Sequence, residues 1–229
     1  MKLTIVIPAF NEGKVIASVL KSFPKKIKGA DCVKTIVVND GSTDNTLEEA
    51  KKHADFVANH VINLGAGAAV ITGFQAARKI GADIVVILDA DGQHNPKNIE
   101  KLIQPILDKK AEVVIGTRML NSKGMPAIKV FGNWAMNVMT FITTGGWSTD
   151  TQSGMRAISR KALGRMQLQA VGFEYCSEII GEARRCKLKL KEIPIETIYT
   201  DYSKSKGQSI VNAINIFTKL VIIRISGKK

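Results

Sequence analysis

The 229-residue chain has 45% hydrophobic and 23% charged residues, a composition that excludes an intrinsically disordered protein and is typical of one sizeable globular domain. Its formal net charge of +13 predicts an anionic partner. Only 6% of the residues are aromatic and the basic residues are spread along the chain. We therefore expect no nucleic acid partner and favour nucleotide phosphates and an anionic membrane surface.

Apolar, β-branched runs alternate with amphipathic stretches through the first half of the chain. This alternation predicts the α/β class, with a mostly parallel sheet flanked by helices. The predicted strands are Leu3–Pro8, Val33–Val38, Ile84–Leu88 and Val113–Gly116, with a weaker one at Phe56–Ile62. The predicted helices are Lys14–Phe23, Thr46–His53, Ala66–Ile80 and Pro96–Lys109.

The second half of the chain is less regular. An apolar helical stretch at Ala127–Ile142 ends before a pair of glycines, and a polar loop at Asp201–Gln208 precedes a final amphipathic helix at about Ser209–Ile225. We therefore expect one domain over residues 1–208 and a helix over residues 209–229 that contacts either the membrane surface or its own domain. The other predicted elements are the strands Gly154–Ser159 and Lys189–Tyr199 and the helices Lys161–Met166 and Glu174–Cys186.

The cysteines and the N-terminal segment indicate the compartment. Cys32, Cys176 and Cys186 are widely spaced and form no paired motif, which favours reduced thiols and argues against a zinc site. The N-terminal segment lacks the apolar core of a secretory signal, and no run of about 18 apolar residues is present to span a bilayer. We expect a cytoplasmic protein that is peripheral on the inner face of the cell membrane.

Three polar clusters follow predicted strands. They are Pro8–Glu12 after the first strand, Asn39–Asp44 after the second and Asp89–His94 after a later one. Ligands of open α/β sheets bind outside the carboxyl ends of the strands, so we expect the three clusters to converge on one rim of the sheet.

Asp89 and Asp91 are the strongest candidates for chemistry. Residues two apart in extended backbone point to the same side, and two neighbouring carboxylates repel each other unless a cation lies between them. Hard oxygen ligands select Mg²⁺ or Mn²⁺, which keep positions open for substrate phosphates. A solvated turn is the alternative interpretation, but the position on the shared rim favours a metal.

Other groups on the rim have two interpretations. Asp40 and Glu12 can contact the base or ribose of a nucleotide. Alternatively, Asp40 can cap the next helix, and Glu12 can interact with the helix dipole in a first turn. The turn Gly65-Ala66-Gly67 lacks a complete dinucleotide or P-loop pattern. It can be a helix start with small residues for close packing, or a phosphate contact.

Taken together, the motifs resemble those of the family 2 inverting glycosyltransferases, in particular the branch of dolichol-phosphate mannose synthases and polyprenyl-phosphate glycosyltransferases. The resemblance covers nearly the whole chain and implies a single Rossmann-like, A-type glycosyltransferase domain with a mixed sheet. The motifs, in chain order, are PAFNE, VNDGSTD, NLGAG, DADGQH, GTR and TQSG.

The resemblance implies roles for particular residues. Asp89 and Asp91 would hold the metal and the donor diphosphate, with Gln93 completing the metal site. Arg118 would face the phosphates of donor or acceptor, and with the two aspartates it forms the expected catalytic set. The expected donor-binding residues are Pro8, Phe10, Glu12, Val38, Asp40, Ala90, Lys204 and Lys206, the two lysines lying in a basic loop that closes over the diphosphate.

Two departures from the family pattern leave the donor base open between UDP and GDP. Ala66 stands where a lysine is frequent, and Asn39 stands where the first acid of the second motif is usual. Neither departure removes the expected metal site.

The resemblance implies transfer of a hexose from a nucleotide sugar to polyprenyl or dolichyl phosphate. Such a phosphate has a second pKa of about 6, is largely a dianion at neutral pH and needs no strong catalytic base. A sugar hydroxyl acceptor is the alternative and needs a base, for which Asp150 is the candidate. The apolar stretch Ala127–Ile142, flanked by Lys123 and Lys129, suits a lipid tail with a phosphate head, although Met136, Val138, Met139 and Phe141 can also be core.

Two further functions are weaker alternatives. A nucleotidyltransferase needs a glycine-rich, basic loop after the first strand, which PAFNE does not provide. An inactive nucleotide-sugar-binding module or membrane adaptor has no need of both intact aspartates, Asp89 and Asp91.

Overall fold

The structure is a computed structural model that describes residues 1–24, 26–119 and 127–196. Its strands are β1 (Lys2–Ala9), β2 (Cys32–Asp40), β3 (Phe56–His60), β4 (Ile84–Ile87), β5 (Val113–Thr117), β6 (Arg156–Ser159) and β7 (Leu190–Pro194). Its helices are α1 (Ile16–Ser22), α2 (Thr46–His53), α3 (Ala66–Lys79), α4 (Asn98–Leu107), α5 (Ala127–Thr144), α6 (Arg160–Arg165) and α7 (Tyr175–Arg185).

The strands form one seven-stranded sheet in the order β3-β2-β1-β4-β6-β5-β7. Strands β1 to β4 pair in parallel, β7 pairs in parallel with β5, and β6 runs antiparallel between β4 and β5. The predicted α/β class with a mostly parallel mixed sheet is therefore confirmed. The carboxyl ends of β1, β2, β4 and β5 and the beginning of β6 meet at one rim, which we call the catalytic rim.

The strands are apolar because helices cover both faces of the sheet. Leu3, Ile5 and Ile7 of β1 pack into a cluster with residues of α1 and α4, whereas Val6 packs into a second cluster with residues of α3 and α7. This is the alternation of faces that extended backbone imposes. At Gly73 of α3 an added Cβ would overlap Val6, so a glycine lets this helix lie directly on the sheet.

The predicted elements agree with the described ones apart from their ends. The first helix begins at Ile16, the fourth begins at Asn98 and the third strand ends at His60. The predicted loop at 201–208 and the helix at 209–229 lie outside the described residues, so the expected division at residue 208 stays a prediction. Within the described ranges, no helix combines the length and apolarity needed to cross a bilayer.

Candidate active site

Two of the polar clusters on the catalytic rim are joined by hydrogen bonds. The backbone N–H of Asn11 donates to Ser42 Oγ at 2.9 Å, and Asn11 Oδ1 accepts from the backbone N–H of Thr43 at 2.9 Å. Asp44 Oδ2 accepts from the backbone N–H of Gly13 at 3.0 Å. The loops after β1 and β2 therefore form one wall of the site, in agreement with the expected convergence of their clusters on one rim.

Asp40 anchors a third loop to this wall. Its buried carboxylate accepts from the backbone N–H groups of Leu64 at 2.9 Å and Gly65 at 2.8 Å. It also lies 2.7 Å from Nδ1 of His60, whose Nε2 lies 2.9 Å from Thr72 Oγ1. Asp40 thus shapes the pocket through protein contacts, and its expected contact with a base or ribose stays a prediction.

The Gly65–Gly67 turn has a packing role in the structure. A Cβ at Gly67 would overlap the carbonyl of Ala170, and the backbone N–H of Ala68 donates to the carbonyl of Val171 at 3.1 Å. The close-packing interpretation of this turn is therefore supported by the geometry.

The other expected donor residues differ in their exposure. Phe10 is exposed, whereas Glu12 is largely buried and its backbone N–H donates to Thr46 Oγ1 at 2.8 Å. Pro8 pairs with Val38 in the sheet, and the Val38 side chain is buried in the core. Ala90 is also buried, and the expected donor contacts of Val38 and Ala90 stay predictions. Lys204 and Lys206 lie outside the described residues.

Asp91 is held in place by its neighbour Gln93. The backbone N–H of Gln93 donates to Asp91 Oδ1 at 2.9 Å, and its side-chain Nε2 donates to Oδ2 at 2.7 Å. Gln93 therefore orients Asp91 in this structure, and its direct contact with a metal stays a prediction.

Asp89 and Asp91 have pKa values shifted in opposite directions. Burial raises the pKa of Asp89, but His94, Arg118 and Arg156 outweigh burial and hold that pKa below its ordinary value. Burial and the negative charge of Asp89 raise the pKa of Asp91. A cation beside both groups would relieve this repulsion, so the charge balance of the pair fits a bound metal.

The two carboxylates also fit a metal ion whose remaining coordination positions are filled by a substrate. In the part of the chain that the structure describes, no cluster of three or more His, Cys, Asp or Glu side chains could hold a metal ion. Two carboxylates leave open positions on Mg²⁺ or Mn²⁺, and such positions are typically filled by water and substrate phosphates. The chemistry of Asp89 and Asp91 is therefore compatible with the protein half of a metal–diphosphate site, and this role stays a prediction.

The TQSG motif packs against the side chain of Asp89 through Gly154. A Cβ at Gly154 would lie 2.8 Å from Asp89 Oδ1 and closer still to Oδ2 and Cγ, so only glycine leaves room for this carboxylate. Ser153 Oγ donates to the carbonyl of Gly116, and the backbone N–H of Gly116 donates to the backbone carbonyl of Met155 at 2.9 Å. The antiparallel β6 thus brings the TQSG and GTR motifs to the metal candidates.

The side-chain amide of Gln152, in the same loop, makes no hydrogen bond to the described part of the chain. Its Nε2 and Oε1 atoms are both buried and have no hydrogen-bond partner in the described part of the chain. A buried amide without partners loses free energy that a bound polar ligand restores. Gln152 was not among the residues predicted from sequence.

Arg118 and Asp150 form a bidentate ion pair. Arg118 Nε donates to Asp150 Oδ2 at 2.7 Å, Nη2 donates to Oδ1 at 2.7 Å, and the backbone N–H of Arg118 adds a bond of 2.9 Å to Oδ2. Asp150 has an exposed fraction of 0%, whereas the Arg118 side chain is 25% exposed. The carboxylate therefore positions the guanidinium, and both of its oxygens are engaged by Arg118.

Arg156 and Glu192 hold the loop that carries these residues. Buried Arg156 donates to the carbonyls of Thr151, Ser153 and Cys176 at 2.7, 3.1 and 2.7 Å. Glu192 accepts from Ser148 Oγ at 2.6 Å and from the backbone N–H of Thr149 at 2.6 Å. Neither residue was predicted, because each lies in a short strand that carries no motif.

Comparisons with known proteins agree with this architecture. The profile of the family described as Glycosyl transferase family 2 matches residues 4–166. The chain is 39% identical to a UDP-N-acetylglucosamine–dolichyl-phosphate N-acetylglucosaminyltransferase of Methanococcus voltae, over 96% of this chain and 95% of that protein. It is 27% identical to an undecaprenyl-phosphate mannosyltransferase of Micrococcus luteus, over 93% of this chain and 92% of that protein.

A solved structure shares the fold. Glucosyl-3-phosphoglycerate synthase from Mycobacterium tuberculosis, in complex with Mn²⁺, uridine diphosphate and phosphoglyceric acid, matches with a TM-score of 0.74 at 20% identity. The match covers 98% of this chain and 78% of that one.

Proposed function

This chain belongs to glycosyl transferase family 2 and is a glycosyltransferase, and we propose that it transfers a hexose from a nucleotide sugar to a polyprenyl phosphate, with inversion at the anomeric carbon. Two relatives that span nearly its whole length are named for dolichyl phosphate and for undecaprenyl phosphate. Their names share a lipid phosphate acceptor but differ in the sugar. The acceptor class is therefore better supported than the sugar.

Asp89 and Asp91 would bind the metal–diphosphate part of the donor. A divalent cation, Mg²⁺ or Mn²⁺, would stabilise the negative charge that develops on the departing nucleoside diphosphate. Gln93 fixes the orientation of Asp91, and Gly154 leaves the space that Asp89 occupies. The likeness to a fold relative solved with Mn²⁺ and uridine diphosphate is consistent with this assignment.

Arg118 would bind phosphate next to the metal. Its guanidinium is near enough to Asp89 for its charge to lower that pKa, and its side chain is partly exposed. Asp150 accepts hydrogen bonds from two of its nitrogens, and this fixes the orientation of the planar guanidinium.

The observation that carries the choice of acceptor is the buried ion pair of Asp150. A sugar hydroxyl must lose its proton during transfer, and the candidate base is enclosed and bound to Arg118 through both oxygens. A lipid phosphate is already ionised near neutral pH and needs no such base. Transfer to a sugar hydroxyl is therefore disfavoured.

For the donor, UDP-N-acetylglucosamine is the first candidate to test, because the relative at 39% identity is named for it. Phe10, Glu12 and Asp40 are the expected contacts of base and ribose. The reaction would take place at the cytoplasmic membrane face, with the protein peripheral to the bilayer.

An acceptor competition tests the proposal. The protein is incubated with UDP-N-acetylglucosamine and with UDP- and GDP-linked hexoses, a divalent metal and either polyprenyl phosphate or the polyprenol of the same chain length, and lipid products are identified by mass spectrometry. We expect a sugar on polyprenyl phosphate from at least one donor and none on polyprenol. Transfer to the polyprenol hydroxyl at a comparable rate, or no transfer to the phosphate from any donor, would refute the proposal.

A further inference from the structure

Helix α5 presents a row of large apolar side chains to solvent. Four members of this row lie along one side of the helix, as their spacing in the sequence indicates: Phe131, Trp134, Phe141 and Ile142. Trp147 follows the helix and extends the row. Together they form the outer face of α5, and their exposed fractions range from 51% to 64%.

The aromatic side chains of the outer face form two pairs. The rings of Phe131 and Trp134 stack with centroids 5.9 Å apart, and the rings of Phe141 and Trp147 meet edge to face at 6.1 Å. Single exposed apolar side chains are ordinary, but an exposed row of this kind marks an interaction site.

The opposite side of α5 is buried and, apart from Met136, largely polar. Asn133 and Asn137 donate to the carbonyl of Thr149 at 3.0 and 2.7 Å, and Thr140 Oγ1 lies 2.7 Å from Ser177 Oγ. A helix on the surface of a globular protein normally buries its apolar side. In α5 hydrogen bonds fix the inner side, so the orientation of the apolar side is not explained by packing within the domain.

Charge identifies the partner of the outer face. The sequence contains no Asp or Glu between Glu112 and Asp150, a segment that includes the whole of α5, and the net charge of the chain is +13. An apolar face without carboxylates on a strongly basic protein is complementary to an anionic lipid surface. Tryptophan is enriched where proteins meet the bilayer interface, and both tryptophans of this chain lie on the outer face.

We propose that the outer face of α5 docks on an anionic lipid bilayer, with the helix lying in the plane of the interface and its aromatic side chains inserted. The purpose of this docking rests on the proposed function, because a lipid phosphate acceptor lies at such a surface.

The inner side of α5 contacts the loop that carries active-site residues. Asn137 binds Thr149 and, through Oδ1, the backbone N–H of Thr151 at 3.0 Å, and these residues flank the Asp150 that holds Arg118. Docking would therefore bring the lipid phosphate toward Arg118.

The test uses the full chain and vesicles of phosphatidylglycerol and phosphatidylcholine that contain neither polyprenyl phosphate nor nucleotide sugar. Tryptophan emission reports on this face without a label, because Trp134 and Trp147 are the two tryptophans of the chain. We expect a blue shift on binding, and quenching when the lipids carry bromine on their acyl chains. Absence of quenching by brominated lipids while the protein is intact would overturn the proposal.

A pair of substitutions measures the contribution of the outer face. Phe131→Ser with Trp134→Ser should weaken vesicle partitioning about tenfold or more, the scale expected for removing two half-buried aromatic side chains from the interface. Phe56→Ser, on the edge strand β3, removes an aromatic side chain with a similar exposed fraction of 44% and should leave partitioning unchanged. Equal partitioning of the double variant and the wild type would also overturn the proposal.

Two other occupants give different results. If a second copy covers the outer face, sedimentation without vesicles shows a dimer that the double variant abolishes, and brominated lipids fail to quench. If residues 197–229 cover it, quenching appears only after their removal. Either result contradicts docking. Since no acceptor or donor is present, failure of this test leaves the proposed transfer reaction unaffected, and failure of transfer leaves vesicle binding unaffected.

Discussion

Replacing Gly154 by alanine tests how the protein positions Asp89. The added Cβ would lie 2.8 Å from Asp89 Oδ1 and closer to Oδ2 and Cγ, whereas side-chain Cβ atoms essentially never approach other heavy atoms to less than 3.0 Å. Gly154 does not have a left-handed φ, so alanine is compatible with the backbone and the effect comes from the contact alone. The carboxylate must move by about 1 Å or more, and a displacement of that size in a catalytic group costs on the order of 10²-fold in rate.

The assay is metal-dependent release of nucleoside diphosphate in the presence of polyprenyl phosphate, together with Mn²⁺ affinity measured with the nucleoside diphosphate bound. We expect kcat/KM to fall about 10²-fold and the metal to bind more weakly. Gly164→Ala is the matched control, because a Cβ there has no heavy atom within 4 Å and the site lies in helix α6. It should leave activity unchanged and stabilise the protein by up to about 1 kcal/mol.

A second measurement separates displacement of Asp89 from general misfolding. In an Asp89→Ala background the new methyl group has no carboxylate to displace, so Gly154→Ala should cost less unfolding free energy than in the wild type. A Gly154→Ala enzyme with wild-type activity and metal affinity would refute the positioning argument.

Three further predictions follow from the contacts on the rim. Gln93→Leu removes the amide that donates to Asp91 Oδ2 and should lower activity about tenfold with little loss of stability, as measured by kinetics and thermal unfolding. Asp150→Asn should reduce stability, because Arg118 loses its charged partner, while the pH–rate profile near neutrality keeps its shape; a new dependence on pH would identify Asp150 as a base after all. Gln152→Leu removes a buried amide without partners and should raise the melting temperature of the ligand-free protein while lowering transfer activity; unchanged activity would exclude a ligand contact.

The sequence was sufficient to predict the sheet and the convergence of the motifs. The apolar runs specify buried strands, and parallel neighbours place Asp40 and Asp89 on the same rim. The link between Asp40 and His60 was not predictable in this way, because it depends on the register in which β3 pairs with β2. Nothing in the local sequence around His60 indicates that register.

The roles of Gly154 and Arg156 required the antiparallel strand β6. The sequence suggests a strand there, but not that it inserts between β4 and β5 and carries Gly154 against Asp89. Arg156 interrupts an apolar strand and would be expected at the surface, yet it is buried against backbone carbonyls. Side chains that act by holding a loop leave no motif in the sequence.

The sequence also did not predict which side of helix α5 faces the rest of the domain. Its residues predict a helix with an apolar stripe, and Met136 is indeed buried, but Phe141, which was equally compatible with the core, is exposed. The contacts of Asn137 and Thr140 decide which side faces inward, and their partners Thr149 and Ser177 are remote in sequence.

The proposed reaction requires Asp89 and Asp91 to hold a metal through which the donor diphosphate is bound for transfer to a lipid phosphate. The most direct measurement is the formation of hexosyl-polyprenyl phosphate by the wild type, Asp89→Ala and Asp91→Ala, each titrated with Mg²⁺ or Mn²⁺ after removal of divalent cations with EDTA. We expect no product without metal, restoration of activity by added metal in the wild type, and a loss of activity of at least about 10²-fold in each variant at saturating metal. Full activity in EDTA, or a nearly wild-type Asp91→Ala enzyme, would contradict it.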